Sequence, residues 1–251
     1  MTRGLYAAAT GMIHQARRLD TVANNIANIN TNGYKKDQVV TRAFRDELLL
    51  RLEKGQTAMS RRIGTINHGV TVENVVTSFR QGALQQTGEN THLALNGPGF
   101  FTVITDNGEQ RYTRDGEFML DSLGRLVTAD GWLVAGEMGP VYVGTTDFSV
   151  DSLGYIMVNG EYIDRLQIVN FEDPQALRKA GHNLFINSDP ENQVIGFEGE
   201  VIQGFIEGSN VDAVSEVIEM MTATRNYESN AQIIRMIDES LDKTVNEIGR
   251  V

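Results

Sequence analysis

Apolar positions at the two ends of this chain recur every seven residues, while those in the middle do not. Near the start, Leu5, Met12, Leu19 and Ile26 stand seven apart, with Ala9, Ala16 and Ala23 between them in alternating steps of four and three. That is the spacing of a helix with a narrow apolar seam, and no proline interrupts it. Gly4 and Gly11 each weaken such a helix by about 1 kcal/mol relative to alanine where exposed. Asn28, Asn30, Asn32 and Gly33 form a turn cluster that ends it near Asn28. At the other end, Met220, Tyr227, Ile234, Leu241 and Ile248 are again seven apart. Their companion row is Val217, Thr224, Ala231, Asp238 and Val245, with Asp238 its one flaw. Ser209 or Asn210 can cap this helix, and the pattern predicts roughly 55–60 Å of helix over residues 211–249. Each stripe needs a partner. Periodicity alone does not choose between the other helix of the same chain and another copy.

Between the helices the pattern changes to short apolar runs broken by turn residues. Phe100–Ile104 and Gln110–Thr113 flank Asp106-Asn107-Gly108. Phe118–Leu120 and Arg125–Thr128 flank Asp121-Ser122-Leu123-Gly124. Asn159-Gly160 separates Tyr155–Val158 from Glu161–Phe171. Asn-Gly suits the positive φ angles of a type I′ turn, so these read as antiparallel hairpins. The run Phe118 to Gly124 is echoed thirty positions later by Phe148 to Gly154, which reads as two similar hairpins in one meander. Phe44, Leu48 and Leu52, at i, i+4 and i+8, suggest a short amphipathic helix over residues 42–54, and residues 55–68 read as loop or hairpin. The fold class is therefore α+β. Residues 1–35 and 206–251 give helical parts of one domain, residues 36–80 connect, and residues 81–205 form a β-rich domain.

Composition removes several functions. Lys and Arg total 22 against 33 Asp and Glu, a formal net charge of -11. Such a chain lacks the basic face that displaces counterions from nucleic acid. The absence of cysteine excludes disulfides, thiolate nucleophiles and Cys-based metal sites. No apolar signal region stands near the start, and no stretch approaches the ~20 apolar residues of a membrane span.

Candidate chemistry is sparse. Asn96-Gly97-Pro98-Gly99 is glycine-rich but lacks the Lys-Ser/Thr of a phosphate loop, and reads as a turn into a strand. His14, His68, His92 and His182 stand at no metal-ligand spacing. Asp106-Asn107-Gly108-Glu109 lacks the closing ligand of a calcium loop, and no nucleophile elbow is present. No catalytic residue, metal site or cofactor is expected, and neither is a small-molecule substrate.

Several segments together resemble the rod and hook proteins of the bacterial flagellum. Residues 23–35, Ala-Asn-Asn-Ile-Ala-Asn-Ile-Asn-Thr-Asn-Gly-Tyr-Lys, are similar to the family's rod signature. Residues 93–103, Leu-Ala-Leu-Asn-Gly-Pro-Gly-Phe-Phe-Thr-Val, are similar to its second motif. Tyr112–Phe118, Gly124–Thr128, Gln203–Val211 and Arg225–Glu228 follow in the family's order. The chain is much shorter than hook proteins, and around residues 45–66 it is shorter than many distal rod proteins. The resemblance implies inner helices and an outer β domain. It also implies export through the flagellar type III apparatus and a helical homopolymer in the basal body. There the polymer would contact other rod and hook proteins and carry torque. Leu5, Met12, Leu19 and Ile26 are then expected to pair with Met220, Tyr227, Ile234, Leu241 and Ile248, with the remaining helix faces meeting other copies. Asn24, Asn25 and Asn28 would lie in a turn at the junction of helix and sheet. The narrow seams suggest termini that order only on assembly. A hook-type or junction subunit, or a wall-remodelling enzyme, are the alternatives.

Overall fold

Helix α1 runs from Thr2 to Ala27 and helix α2 from Ala213 to Ile248, close to the bounds that the heptad pattern predicts. The computed structural model describes residues 2–43, 47–51, 61–66 and 70–248. Two compact units emerge. One comprises Met1–Ile26, Asp37–Val76 and Ala213–Val251, and the other Ala27–Lys36 and Thr77–Asp212. The last residue of α1, Ala27, and residues 28–36, which directly follow the helix, thus fold with the β-rich unit.

In the first unit the helices run antiparallel. A Cβ on Gly4 would sit 3.5 Å from Ile237, and one on Gly11 would meet the Asn230 side chain at 2.9 Å. Further along, Arg18 Nε donates to Glu219 Oε1 at 2.8 Å, and Asn25 Nδ2 donates to Glu216 Oε2 at 3.1 Å. Of the two glycines that weaken α1 as an isolated helix, Gly11 therefore makes room for a side chain of α2, while Gly4 faces Ile237 at ordinary van der Waals distance. The same unit holds two strand pairs. Asp37–Ala43 pairs with Val70–Thr77, and Glu47–Arg51 pairs antiparallel with Arg61–Ile66.

That second pair corrects the expected helix over residues 42–54. Three apolar residues at helical spacing are a weak signal, and here the ladder satisfies the backbone of residues 47–51 instead. Phe44 and Leu52 lie outside the described residues. Of residues 55–68, expected as loop or hairpin, Arg61–Ile66 is a hairpin strand, whereas residues 55–60, 67 and 68 fall outside the described set.

The second unit is built around the strand Phe100–Ile104. One edge pairs with Gln110–Thr113, and the other is shared by Ile168–Phe171 and Leu133–Gly136. Successive side chains of a strand point to opposite faces, so Phe100 and Phe101 enter different cores. Phe101 packs with Leu93, Phe118, Leu126, Phe148 and Ile156 among others. Phe100 packs with Val169, Phe171, Leu177 and Phe185. The expected hairpins at 100–113 and 118–128 are present. Asn159 and Gly160 adopt φ 53° and 83°, as a type I′ turn requires. The run Glu161–Phe171 is two strands, Glu161–Arg165 and Ile168–Phe171.

The thirty-residue echo is structural. Asp121 Oδ1 accepts from the amides of Leu123 and Arg125, and Asp151 Oδ1 accepts from those of Leu153 and Tyr155. Each turn follows a buried phenylalanine, Phe118 or Phe148, and precedes a fully buried Leu126 or Ile156.

Candidate functional site

Three of the quoted motifs fold onto one another in the β-rich unit. Gly33 has φ +67°, and a Cβ there would lie 2.5 Å from the Arg114 carbonyl carbon and the Asp115 amide. Only glycine lets the first motif lie this close to the Tyr112–Phe118 motif. The Gly33 amide donates to the Glu207 carbonyl at 2.6 Å. This contact brings Lys35, Arg114 and Glu207 together, all at most 3% exposed. Lys35 Nζ donates to Glu207 Oε1 at 2.6 Å and to the Arg80 carbonyl at 2.9 Å. The Gly82 amide also donates to Glu207 Oε1, at 2.8 Å. Arg114 Nε lies 3.0 Å from Glu207 Oε2, in an ion contact off the hydrogen-bond line.

Two cations thus share one carboxylate, and backbone dipoles take up the excess positive charge. Arg114 donates to the carbonyls of Gly97 and Gly99, each at 2.8 Å. The Asn96–Gly99 turn presents carbonyl oxygens to a guanidinium, the reverse of a loop that presents amides to a phosphate. Burial pushes the Lys35 ammonium below its ordinary pKa, and Arg114 adds to this, while Glu207 opposes it. Burial likewise lowers Arg114, against the pull of Glu207. The geometry is that of a clamp, with every charge engaged by protein groups.

Asn210 completes the clamp. Its Oδ1 accepts from the Lys36 amide at 2.7 Å, and its Nδ2 donates to the carbonyls of Ser78 and Arg80. Its amide donates to the Tyr34 carbonyl. Asn210 is therefore not the cap of α2. Asp212 directly precedes that helix, and Ser209 Oγ accepts from the Val211 amide at 3.3 Å.

Comparisons with known proteins match the same segments. Residues 5–35 match the flagella basal body rod protein family, residues 94–161 the flagellar hook protein FlgE/F/G D1 domain, and residues 202–247 the flagellar basal body rod FlgEFG protein C-terminal region. Over 265 aligned residues the chain is 36% identical to the flagellar basal-body rod protein FlgG of Bacillus subtilis, covering 98% of this chain and 99% of that one. The chain belongs to the flagellar basal-body rod protein family. It is 33% identical to the flagellar hook-basal body complex protein FlhO of Bacillus subtilis, over the whole of both chains. It is 35% identical to FlgG of Agrobacterium fabrum, over 94% of this chain and 96% of that one. This rod protein is a structural subunit of the flagellar basal body.

Against that identity the expected assembly residues fall in three groups. Leu5, Tyr227 and Leu241 are exposed, while Met12, Leu19, Ile26, Met220 and Ile234 are half-buried. The side chain of Ile248 lies outside those described. Among the described residues, the buried positions of α1 are Ala8, Gln15, Val22 and Asn25, and those of α2 are Glu216 and Ala223. The close helix face is therefore turned by about 60° from the apolar rows, three residues at ~100° each. Asn25 is bonded to both ends of the Asp37 peptide as well as to Glu216. Asn28 accepts from the Thr31 hydroxyl and amide, and Asn24 is exposed. Lys35, Arg114, Glu207 and Asn210 were not singled out by sequence. Their signal was a charged or amide side chain inside a glycine-rich or apolar motif.

Beside the clamp is a cavity of about 350 Å³, lined by residues that include Thr31, Tyr34, Asp115, Asp130, Lys179 and Asn183. Burial pushes the Asp115 carboxyl up to about 6, with Glu117 and Asp130 adding to the rise and the Glu117 amide opposing it. The folded chain thus binds this proton more tightly than the unfolded chain. The resulting stabilisation is full below the ordinary carboxylate range and is lost as pH rises through about 6. Asp115→Asn keeps an acceptor for the Glu117 amide. It is expected to exceed the parent in stability by about 2–3 kcal/mol at roughly pH 8, with the gap closing towards pH 4. Urea denaturation at the two pH values checks this.

Proposed function

We propose that this rod subunit polymerises into a helical tube that carries torque, and that it acts by assembly and not by catalysis. The supporting observation is the pattern of exposed apolar residues on the two helices. The start of α2 presents Val214, Val217, Ile218 and Met221, 67%, 47%, 59% and 51% exposed, in one stripe at i, i+3, i+4 and i+7. On α1, Leu5, Tyr6 and Ile13 are also exposed. The buried positions of the two helices are mostly small or polar, and several large apolar side chains remain facing outward for other copies. Contacts between unlike faces that do not close on themselves generate open helical polymers. Other rod and hook proteins are the neighbours along the axis, and the flagellar type III apparatus is the export route.

Electron microscopy of hook–basal bodies from cells lacking this gene tests the reading. Truncated rods without hooks are expected. Normal rods, hooks and swimming would overturn it.

A further inference from the structure

Asn-Gly occurs four times in the chain, at residues 32–33, 96–97, 107–108 and 159–160. Each pair carries a latent reaction, because the glycine nitrogen can attack the asparagine side-chain carbonyl and close a cyclic imide. Glycine, having no side chain, leaves that nitrogen unshielded. In sequence the four pairs are alike, but in the fold they are not. The Gly33 amide donates to the Glu207 carbonyl at 2.6 Å, and Asn32 Nδ2 donates to Glu117 Oε2 at 2.6 Å. The Gly97 amide donates to Gln81 Oε1 at 3.3 Å, and a Cβ on Gly97 would lie 3.1 Å from Gly199 Cα. Gly108 has open surroundings, but its amide closes a turn by donating to the Thr105 carbonyl at 2.8 Å. Asn159 and Gly160 differ from all three. Both are exposed, and nothing stands within 4 Å of a Cβ built on Gly160. Among the described residues, neither the Gly160 amide nor the Asn159 side chain makes a hydrogen bond.

Turn type supplies the rest. Asn159 at φ 53° and Gly160 at φ 83° form the type I′ turn that sets Val158 opposite Glu161. In that turn the Gly160 nitrogen points away from the Asn159 side chain. Rotating the one peptide plane between the two residues gives a type II′ turn, with ψ of Asn159 about −120° and φ of Gly160 about −80°. That ψ brings the Gly160 nitrogen alongside Asn159 Cγ. The flip leaves the φ of Asn159 positive, as it already is, and glycine accepts either sign. It breaks no hydrogen bond of the Gly160 amide, and Val158 and Glu161 stay paired. The same rotation between Asn107 and Gly108 would break the bond to Thr105.

We infer that Asn159-Gly160 is a site of spontaneous covalent modification, which reacts ahead of the other three pairs through this flip. Hydroxide removes the Gly160 amide proton, and the nitrogen bonds to Asn159 Cγ. The Cγ–Nδ2 bond then breaks, and Nδ2 takes a proton from water and leaves as ammonia. Water next opens the imide at either of its carbonyls. Opening at Cγ leaves aspartate. Opening at the main-chain carbonyl leaves isoaspartate, whose main chain runs through Cβ and Cγ. Either product adds a negative charge beside Glu161. Isoaspartate also lengthens the turn that sets the register of Tyr155–Val158 with Glu161–Arg165. None of this chemistry depends on assembly.

The test is incubation of the full-length chain at mildly alkaline pH, with its proteolytic fragments followed by chromatography and mass spectrometry. The fragment holding residues 159–160 should gain the mass of an amide-to-acid exchange and split into aspartyl and isoaspartyl forms. It should react about tenfold faster than the fragment holding residues 107–108. That factor corresponds to roughly 1.4 kcal/mol, the scale of the one hydrogen bond that holds the Gly108 amide. In the urea-unfolded chain the four rates should converge. Below the unfolding transition, urea should leave the rate at Asn159 unchanged, because the flip exposes no new surface. Equal or faster reaction at another pair in the folded chain, or a rate at Asn159 that climbs with sub-denaturing urea, would overturn the inference.

Discussion

Replacing Glu207 with alanine is expected to lower the unfolding free energy of the β-rich unit by about 3–5 kcal/mol, the usual cost of breaking a buried ion pair. The substitution leaves Lys35 and Arg114 buried with no anion between them, and it strips an acceptor from the Gly82 amide. Glu207→Gln keeps one acceptor oxygen but not the charge, and should fall between the two. The single tryptophan, Trp132, lies in this unit, so urea denaturation followed by its fluorescence reads the effect. A loss below about 1 kcal/mol, the level of an exposed pair, would mean that water reaches the cluster and that the clamp does not hold the motifs. The companion variant Lys35→Met removes one of the two cations. It should cost less than Glu207→Ala, because Arg114 and Glu207 remain paired.

The second large effect concerns assembly. Ile218→Asp puts a charge in the middle of the exposed stripe on α2. Ile218 is 59% exposed in the single chain, so the monomer should keep its circular dichroism and its unfolding midpoint. Polymerisation should be abolished, because an unpaired carboxylate would have to be desolvated in the contact with the next copy. Gln232→Asp, on the same helix at another exposed position, makes the same change of charge and should still assemble. Sedimentation of both variants under assembly conditions decides the matter. Normal polymers from Ile218→Asp would remove the stripe from the interface.

Much of this fold is legible in the sequence because its signals are local. Seven-residue spacing marks both helices to within a few residues. Asn159-Gly160 and Asp106-Asn107-Gly108 mark hairpins, since backbone conformation at a turn depends on the residues in it. What is less legible depends on partners. The period identifies an apolar stripe on α1, but not that an adjacent row faces α2, where Gly11 makes room for the Asn230 side chain. The strand Glu47–Arg51 owes its conformation to Arg61–Ile66, which local spacing does not reveal. Lys35, Arg114 and Glu207 read separately as ordinary surface charges. Only the fold shows that they meet, and that the Gly97 and Gly99 carbonyls face Arg114 while the Arg80 carbonyl faces Lys35.

The clamp also bears on the order of events when the chain folds. Lys35 and Glu207 are 172 residues apart, and Arg114 lies between them. Whether the chain is synthesised or threaded from one end or from the other, the first member of the trio to emerge waits for the last. Hairpins such as 155–165 close early over short loops, whereas this contact closes a long one and forms late. A chain still in transit thus lacks the contact that ties its two motif-bearing flanks together, and it becomes locked only when nearly all of it has arrived.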